Sequence, residues 1–130
     1  LNGSIPQEIE ALRELVFLSL IESLIGPIPA SMGSLSNLSF LYLHDNELSG
    51  SVPPEIGKMR NSSDLNLQHN KLSGSVPPEI GKMANLSSLD LQNNELSGSI
   101  PREIGMMGKL VTLLLSNNNF SGSIPQEVGM

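Results

Sequence analysis

The chain has 130 residues, 38% of them hydrophobic, but its aromatic residues are only three Phe and one Tyr, with no Trp. Seven basic residues against 13 acidic ones give a net charge of −6, which excludes the basic surface that nucleic acids and anionic membranes require. The absence of cysteine excludes disulfides, thiolate nucleophiles and cysteine-type zinc sites. The apolar runs are far shorter than the roughly 18 residues of a transmembrane helix, so we expect no direct membrane contact from this segment.

The sequence repeats itself every 24 residues. The block Leu48-Ser-Gly-Ser-Val-Pro53 returns at Leu72 and Leu96, and related blocks begin at Leu24 and at both ends of the chain. Between the blocks lies a second pattern, LxxLxLxxNxL. We therefore expect a single domain over 1–130, read as an uncapped fragment that begins and ends inside a motif. It consists of a partial repeat, 1–14, and the repeats 15–37, 38–61, 62–85, 86–109 and 110–130.

Each repeat opens with a short predicted strand. In Leu41-Tyr-Leu43 and its copies the residues alternate with period two, so both leucines lie on one face. Copies stacked about 4.8 Å apart form a parallel sheet, which the chain re-enters by a right-handed crossover. Burying each leucine contributes about 1.5–3 kcal/mol. Because one repeat cannot bury its own leucines, the stack itself is the fold.

An asparagine follows each strand where the chain turns. Its amide has both donors and an acceptor, so it can pair with backbone groups that the turn leaves unmatched. The Ile/Val-Pro pairs that follow prevent a regular helix. The segment Pro54-Glu55-Ile56-Gly57 predicts one short helical turn that Gly57 ends. The predicted hydrogen-bonded ladder consists of Asn46, Asn70, Asn94 and Asn118.

These motifs resemble the leucine-rich repeats of plant and some algal proteins, whose pattern is LxxLxxLxLxxNxLxGxIPxxLGxLxx. Repeat 86–109 matches it almost column for column. The resemblance implies an α/β solenoid: a right-handed superhelix with a concave parallel β-sheet, 24-residue repeats, a mostly irregular or 3-10 convex side and a second set of short strands. It also implies a protein- or peptide-recognition scaffold, similar to a slice of a receptor-like kinase ectodomain or a defence protein. Such a scaffold is extracellular or at the cell surface.

Three features depart from the family pattern. The cysteine-paired caps of family ectodomains are absent, so we expect exposed sheet edges and self-association through the uncapped ends. Ser62 stands where a core leucine belongs, which predicts a weaker rung in its repeat. In repeat 15–37, Ser23 replaces the ladder asparagine and one residue is missing from the turn. We expect a local kink or a broken ladder there.

The outward residues of the strands have no role in the core and are the candidates for ligand binding. We expect a protein or peptide on the concave face, with its apolar part on the aromatic residues and its basic part near Asp64 and Asp90. The alternative is a merely solvated face in a longer array whose ligand binds elsewhere. The candidate ligand-binding residues are Phe17, Phe40, Tyr42, His44, Asp64, Asn66, Gln68, Asp90 and Gln92.

Other functions are less well supported by the residues. A structural or stress-related role such as ice binding would need a regular threonine array, and Thr112 is the only threonine. Inhibition of secreted hydrolases is a further alternative. Asp45 and His69 share a column, but no nucleophile or sheltered pocket accompanies them, and His44 with His69 lacks a third metal ligand. We therefore predict no enzyme, no metal and no cofactor.

The sequence also contains five Asn-x-Ser glycosylation patterns, which favour a secreted glycoprotein. Several of them are copies of one repeat column, so they are not independent of one another. The candidate acceptors are Asn2, Asn37, Asn61, Asn85 and Asn119.

Overall fold

The computed structural model describes residues 3–21 and 23–122, which form a stack of coils joined by two parallel sheets. Each of the five repeats contributes one strand to each sheet, and the partial repeat 1–14 adds a sixth strand to one of them. The five-stranded sheet contains β2 (Phe17–Ser19), β4 (Phe40–Tyr42), β6 (Asp64–Asn66), β8 (Ser88–Asp90) and β10 (Thr112–Leu114). The six-stranded sheet contains β1 (Gly3–Ser4), β3 (Leu24–Gly26), β5 (Glu47–Gly50), β7 (Lys71–Ser75), β9 (Glu95–Gly98) and β11 (Asn119–Phe120).

Leucines of successive repeats align inside the stack, as the period-two pattern predicts. Leu41 pairs with Leu65 across β4 and β6, and Leu65 pairs with Leu89 across β6 and β8. The next inward leucines, Leu43 and Leu67, are completely buried. The predicted solenoid fold is therefore confirmed. The strands β2 and β10 form the edges of the five-stranded sheet, and self-association through them stays a prediction.

Short 3-10 helices lie in the partial repeat 1–14 and in each repeat from 15–37 to 86–109, and neighbouring ones pack on one another along the stack. Their bounds are Gln7–Ala11, Ala30–Ser34, Pro54–Lys58, Pro78–Lys82 and Arg102–Met106. Each follows a proline with extended backbone, as the Ile/Val-Pro pairs predict. No helix among the described residues has the length and apolar character needed to cross a bilayer.

Gly57 has a different role from the predicted one. The 3-10 helix runs through it to Lys58, so the expectation that this glycine ends the helix was wrong. A Cβ atom on Gly57 would lie 2.3 Å from the backbone oxygen of Glu79 in the next repeat, and Gly33 stands in the same relation to Glu55. The glycine is needed because neighbouring coils approach too closely for a side chain.

Ser62 occupies the leucine column and is fully buried. Its hydroxyl donates a 2.8 Å hydrogen bond to the backbone oxygen of Leu38 in the preceding repeat. The buried hydroxyl therefore has a partner, which removes much of the cost of placing it in an apolar core. That the repeat 62–85 forms a weaker rung stays a prediction.

The shortened repeat 15–37 does not interrupt either sheet. Phe17 pairs with Phe40 in one sheet, and Gly26 pairs with Leu48 in the other. A local kink or a broken ladder at Ser23 stays a prediction. Between this repeat and the next one the ladder is intact, because Asn46 accepts from the backbone nitrogen of Leu24 and donates to the oxygen of Leu20. Ser23 has φ 74°, so it takes the left-handed position that Asp45 holds one repeat later.

Candidate functional site

The nine candidate ligand-binding residues lie on the side of the five-stranded sheet that faces away from the leucine core, here called the outer face. The strand register arranges them in rows that cross the strands. The first row contains Phe17, Phe40, Asp64, Ser88 and Thr112; the second contains Ser19, Tyr42, Asn66, Asp90 and Leu114. His44, Gln68 and Gln92 lie two residues beyond the ends of β4, β6 and β8, and backbone hydrogen bonds continue between neighbouring coils there.

Three aromatic rings lie together on the outer face and are called the aromatic cluster. The rings of Phe17 and Tyr42 meet edge to face at 5.4 Å, and the Phe40 ring lies 6.0 Å from Phe17 and 6.4 Å from Tyr42. His44 extends the cluster, with its ring 6.1 Å from that of Tyr42. Phe17 is 54% exposed and Phe40 is 36% exposed. The cluster is thus ordered by its own contacts and still open to a ligand.

Asp64 is joined to the aromatic cluster by a hydrogen bond. The hydroxyl of Tyr42 donates to Asp64 Oδ2 at 2.8 Å. This hydrogen bond, followed by burial and the charge of Asp64, raises the pKa of Tyr42 above its ordinary value of 10.0. Sequence reasoning missed the contact because it is diagonal: Asp64 stands opposite Phe40 in the register, and Tyr42 stands opposite Asn66.

Asp90 differs from Asp64 although both were predicted to face a basic ligand. It is only 9% exposed, and its Oδ1 accepts hydrogen bonds from the backbone nitrogen and Nε2 of Gln92, both at 3.1 Å. Asn66 occupies the same row and likewise accepts a bond from the backbone nitrogen of Gln68. At the ends of β6 and β8 these two side chains therefore shape the turn out of the strand.

The four predicted ladder asparagines each bind the backbone of two coils. In Asn70, Oδ1 accepts from the backbone nitrogen of Leu48 at 3.0 Å, and Nδ2 lies 2.9 Å from the oxygen of Leu43. The same Nδ2 lies 3.1 Å and 3.2 Å from the oxygens of Leu67 and Gln68 in its own coil. Asn46, Asn94 and Asn118 repeat this arrangement.

Asp45 and His69 meet at the rim of the outer face. His69 Nδ1 lies 3.2 Å from Asp45 Oδ1, and both side chains are more than half exposed. Exposed pairs of this kind contribute at most about 1 kcal/mol. Within the described ranges no group of three or more His, Cys, Asp or Glu residues is arranged to hold a metal ion.

The glycosylation candidates Asn37, Asn61 and Asn85 occupy turns that precede the strands of the five-stranded sheet. Asn37 and Asn61 are exposed and donate through Nδ2 to backbone oxygens of the preceding repeat, and Asn85 is half-buried and accepts from Lys109 Nζ. Asn119 is exposed at the start of β11. Asn2 lies outside the described residues.

Several solved structures resemble this chain over nearly its whole length. The ectodomain of the plant membrane receptor kinase GASSHO1/SCHENGEN3 from Arabidopsis thaliana, in complex with CASPARIAN STRIP INTEGRITY FACTOR 2, is 38% identical with a TM-score of 0.95, covering 97% of this chain. The Arabidopsis receptor kinase HAESA, in complex with the peptide hormone IDA and the co-receptor SERK1, is 39% identical with a TM-score of 0.90, covering 98%. A plant ice-binding protein is 34% identical with a TM-score of 0.91, also covering 98%.

The chain spans only 15%, 22% and 42% of those three chains, respectively. No curated protein sequence matches it. The sequence profile of the Leucine Rich Repeat family matches residues 37–59, 63–83, 85–107 and 109–130, which is more than half of the chain. With this match, the repeating coil and the similarity to receptor-kinase ectodomains, the chain belongs to the leucine-rich-repeat family.

Proposed function

We propose that this chain is part of a peptide-recognition module whose ligand lies across the outer face. The observation that carries the proposal is the position of the aromatic residues. The chain has only one Tyr and three Phe, and three of these four side chains form the aromatic cluster on the outer face. Aromatic side chains are normally buried in the core of a protein. Because these three lie on an outer surface, their position favours a binding interface.

The binding site comprises the nine outer-face candidates, but they differ in the contacts open to a ligand. Phe17, Phe40 and Tyr42 supply an apolar anchor, and Asp64 supplies a charge beside it. Asn66 and Asp90 contribute less, because their oxygens already accept bonds in the turns. His44, Gln68 and Gln92 form the polar margin of the site.

The similar receptor kinases support this proposal and also an extracellular or cell-surface location. HAESA was solved with a peptide hormone and GASSHO1/SCHENGEN3 with CASPARIAN STRIP INTEGRITY FACTOR 2. We infer by analogy that the repeats here take a protein or peptide ligand, without catalysis, in a protein that carries glycans at exposed asparagines. Glycosylation of Asn37 and Asn61 fits their exposure.

Ice binding is a second candidate, favoured by the similarity to a plant ice-binding protein. The outer face argues against it, since its first row changes from Phe40 to Asp64 to Ser88 in three successive repeats. A lattice-matched surface would require the same small side chain in each repeat. Inhibition of ice recrystallisation by the purified chain would support this candidate over peptide recognition.

The proposed function is tested by selecting binders from a random peptide library displayed on phage, with the immobilised chain as target. The variant Phe40→Ser should weaken selected peptides about 30-fold, because a central aromatic anchor contributes about 2 kcal/mol or more. Val111→Ser is the matched control, because Val111 is 85% exposed but lies off the outer-face rows. A library that enriches no peptide, or peptides that bind Phe40→Ser as well as the parent chain, would overturn the proposal.

A further inference from the structure

The outer face has acidic side chains but no lysine or arginine. None of the seven Lys and Arg residues of the chain belongs to the outer-face rows or to the turn residues that follow them. They lie in the 3-10 helices, in the six-stranded sheet or in the turns between repeats; these residues are Arg13, Lys58, Arg60, Lys71, Lys82, Arg102 and Lys109. A ligand that lies across the outer face therefore meets carboxylates and no lysine or arginine.

Asp64 is the carboxylate best placed to use this charge. In the described part of the chain it has no ion-pair partner within 4.0 Å, and its hydrogen-bond partner is the hydroxyl of Tyr42 on Oδ2. Asp45, by contrast, is paired with His69, and Asp90 accepts two bonds from Gln92. Asp64 is also half-buried, so a charge brought to it is less screened by water.

The hydroxyl oxygen of Tyr42 and the carboxylate of Asp64 offer two neighbouring hydrogen-bond acceptors. The Tyr42 hydroxyl has donated its only proton to Asp64 Oδ2, so the lone pairs of its oxygen remain available to a donor. Asp64 Oδ1 takes no hydrogen bond from the described residues. Phe40 stands directly opposite Asp64 in the strand register, and its ring, 36% exposed as a residue, lies 6.4 Å from that of Tyr42.

A planar donor with several N–H groups suits this arrangement. A guanidinium can donate to two neighbouring oxygens and lie against an aromatic ring at the same time, whereas an ammonium is a compact, strongly hydrated charge. We infer that Phe40, Tyr42 and Asp64 form a subsite for an arginine side chain of the peptide ligand. This inference rests on the proposed function.

The aromatic cluster also sets the spacing of the ligand motif. An apolar side chain of the ligand that contacts Phe17 and Tyr42 lies between β2 and β4. Because neighbouring strands are about 4.8 Å apart, this side chain is about 7 Å from β6. An extended peptide covers that distance in two residues, at about 3.3 Å per residue, and residues two apart point to the same side. The recognised motif is therefore an apolar residue, any residue, then arginine.

Three synthetic peptides test the subsite: acetyl-Leu-Gly-Arg amide and its versions with lysine or citrulline in place of arginine. Citrulline keeps the shape of arginine without its charge. Titrations are followed by the amide chemical shifts of the isotope-labelled chain. We expect shifts at the outer face, with the arginine peptide binding about tenfold more tightly than the citrulline peptide and about threefold more tightly than the lysine peptide.

Two variants separate the roles of the side chains. Asp64→Asn should abolish the preference for arginine over citrulline, because the charge is lost while the shape stays. Tyr42→Phe should remove the preference for arginine over lysine and keep binding of the leucine, because the oxygen that accepts from the guanidinium is lost while the ring stays. Asp45→Asn removes the same charge from an exposed position at the rim and should leave the ranking of the three peptides unchanged.

Failure of the subsite and failure of the proposed function give different results. Equal binding of the arginine and citrulline peptides at the aromatic cluster would overturn the arginine subsite and support peptide recognition. If none of the three peptides changes the chemical shifts of the outer face, the subsite is also overturned. The library selection then decides the proposed function separately.

Discussion

The inner and outer sides of the same five strands follow different rules. On the inner side the residue is a leucine in every repeat, and the three central ones, Leu41, Leu65 and Leu89, are fully buried. On the outer side the neighbouring column changes from Phe40 to Asp64 with no change in register. The 24-residue period of the inner leucines therefore determines the coil, because identical side chains stack on one another. The outer columns that change between repeats offer the variation that recognition of a ligand requires.

The largest effect should come from breaking the inner rule at the asparagine ladder. Asn70→Ala removes four hydrogen bonds from the turn. The nitrogen of Leu48 loses its acceptor, whereas the oxygens of Leu43, Leu67 and Gln68 each keep one other donor. The unpaired buried nitrogen costs about 1–3 kcal/mol and each of the other three lost bonds about 0.5–1.5 kcal/mol, partly relieved by water, so we expect a loss of about 3–5 kcal/mol in the free energy of unfolding. Urea denaturation measures it.

Gln68→Ala is the control for this prediction. Gln68 lies in the same turn and its backbone oxygen takes part in the ladder, but its side chain makes no hydrogen bond in the described part of the chain. Its free energy of unfolding should change by less than about 0.5 kcal/mol. Equal losses in the two variants would contradict the ladder as a main source of stability.

A smaller effect should follow from forcing two coils apart. In Gly57→Ala the added Cβ would lie 2.3 Å from the backbone oxygen of Glu79, so the 3-10 helices must separate. We expect a loss of about 2 kcal/mol in the free energy of unfolding, as for overpacked cores. Gly108→Ala is the matched control, since a Cβ added there would meet no atom within 4 Å and Ala84 already occupies that column one repeat earlier. A stable Gly57→Ala chain would show that the coil spacing adapts.

The sequence predicted the features that recur in every repeat, because each copy of a motif indicates the same local structure. Leucine columns and ladder asparagines at Leu43 and Asn46 followed from period and from the chemistry of an amide. The role of Gly57 was missed because the distance between coils is a property of the stack and not of one repeat. A single repeat contains no information about its neighbour's backbone.

The candidate site was predicted only as a set of positions. The alternation placed Phe40, Tyr42 and Asp64 on one face, but it could not distinguish Asp64 from Asp90. The difference depends on side-chain conformation: one carboxylate accepts from a tyrosine across the strands, and the other folds onto Gln92 in its own turn. Each aspartate has several possible hydrogen-bond partners of similar strength. Which partner it takes is determined by the packing of the folded chain and not by the sequence pattern.

The smallest effect concerns the contact between Tyr42 and Asp64, and it sharpens the description of the outer face. Because Tyr42 is the only tyrosine and the chain has no tryptophan, the ultraviolet absorbance of phenolate reports this one group. Its pKa should lie above 10.0, chiefly because the hydroxyl donates to Asp64, and Asp64→Asn should bring it back towards that value. The pKa of Tyr42 in Asp90→Asn, the control, should stay raised.

The sign of the accompanying stability change follows from the raised pKa. The folded chain holds the Tyr42 proton more tightly than the unfolded chain, so the contribution of the hydrogen bond is complete below the unfolded pKa near 10.0 and is lost as pH rises through the folded pKa. The midpoint of urea denaturation should therefore fall more steeply above pH 10 in the parent chain than in Asp64→Asn. Parallel curves would mean that the hydroxyl and the carboxylate do not interact in solution, and the arginine subsite would then lose the contact that positions its two acceptors.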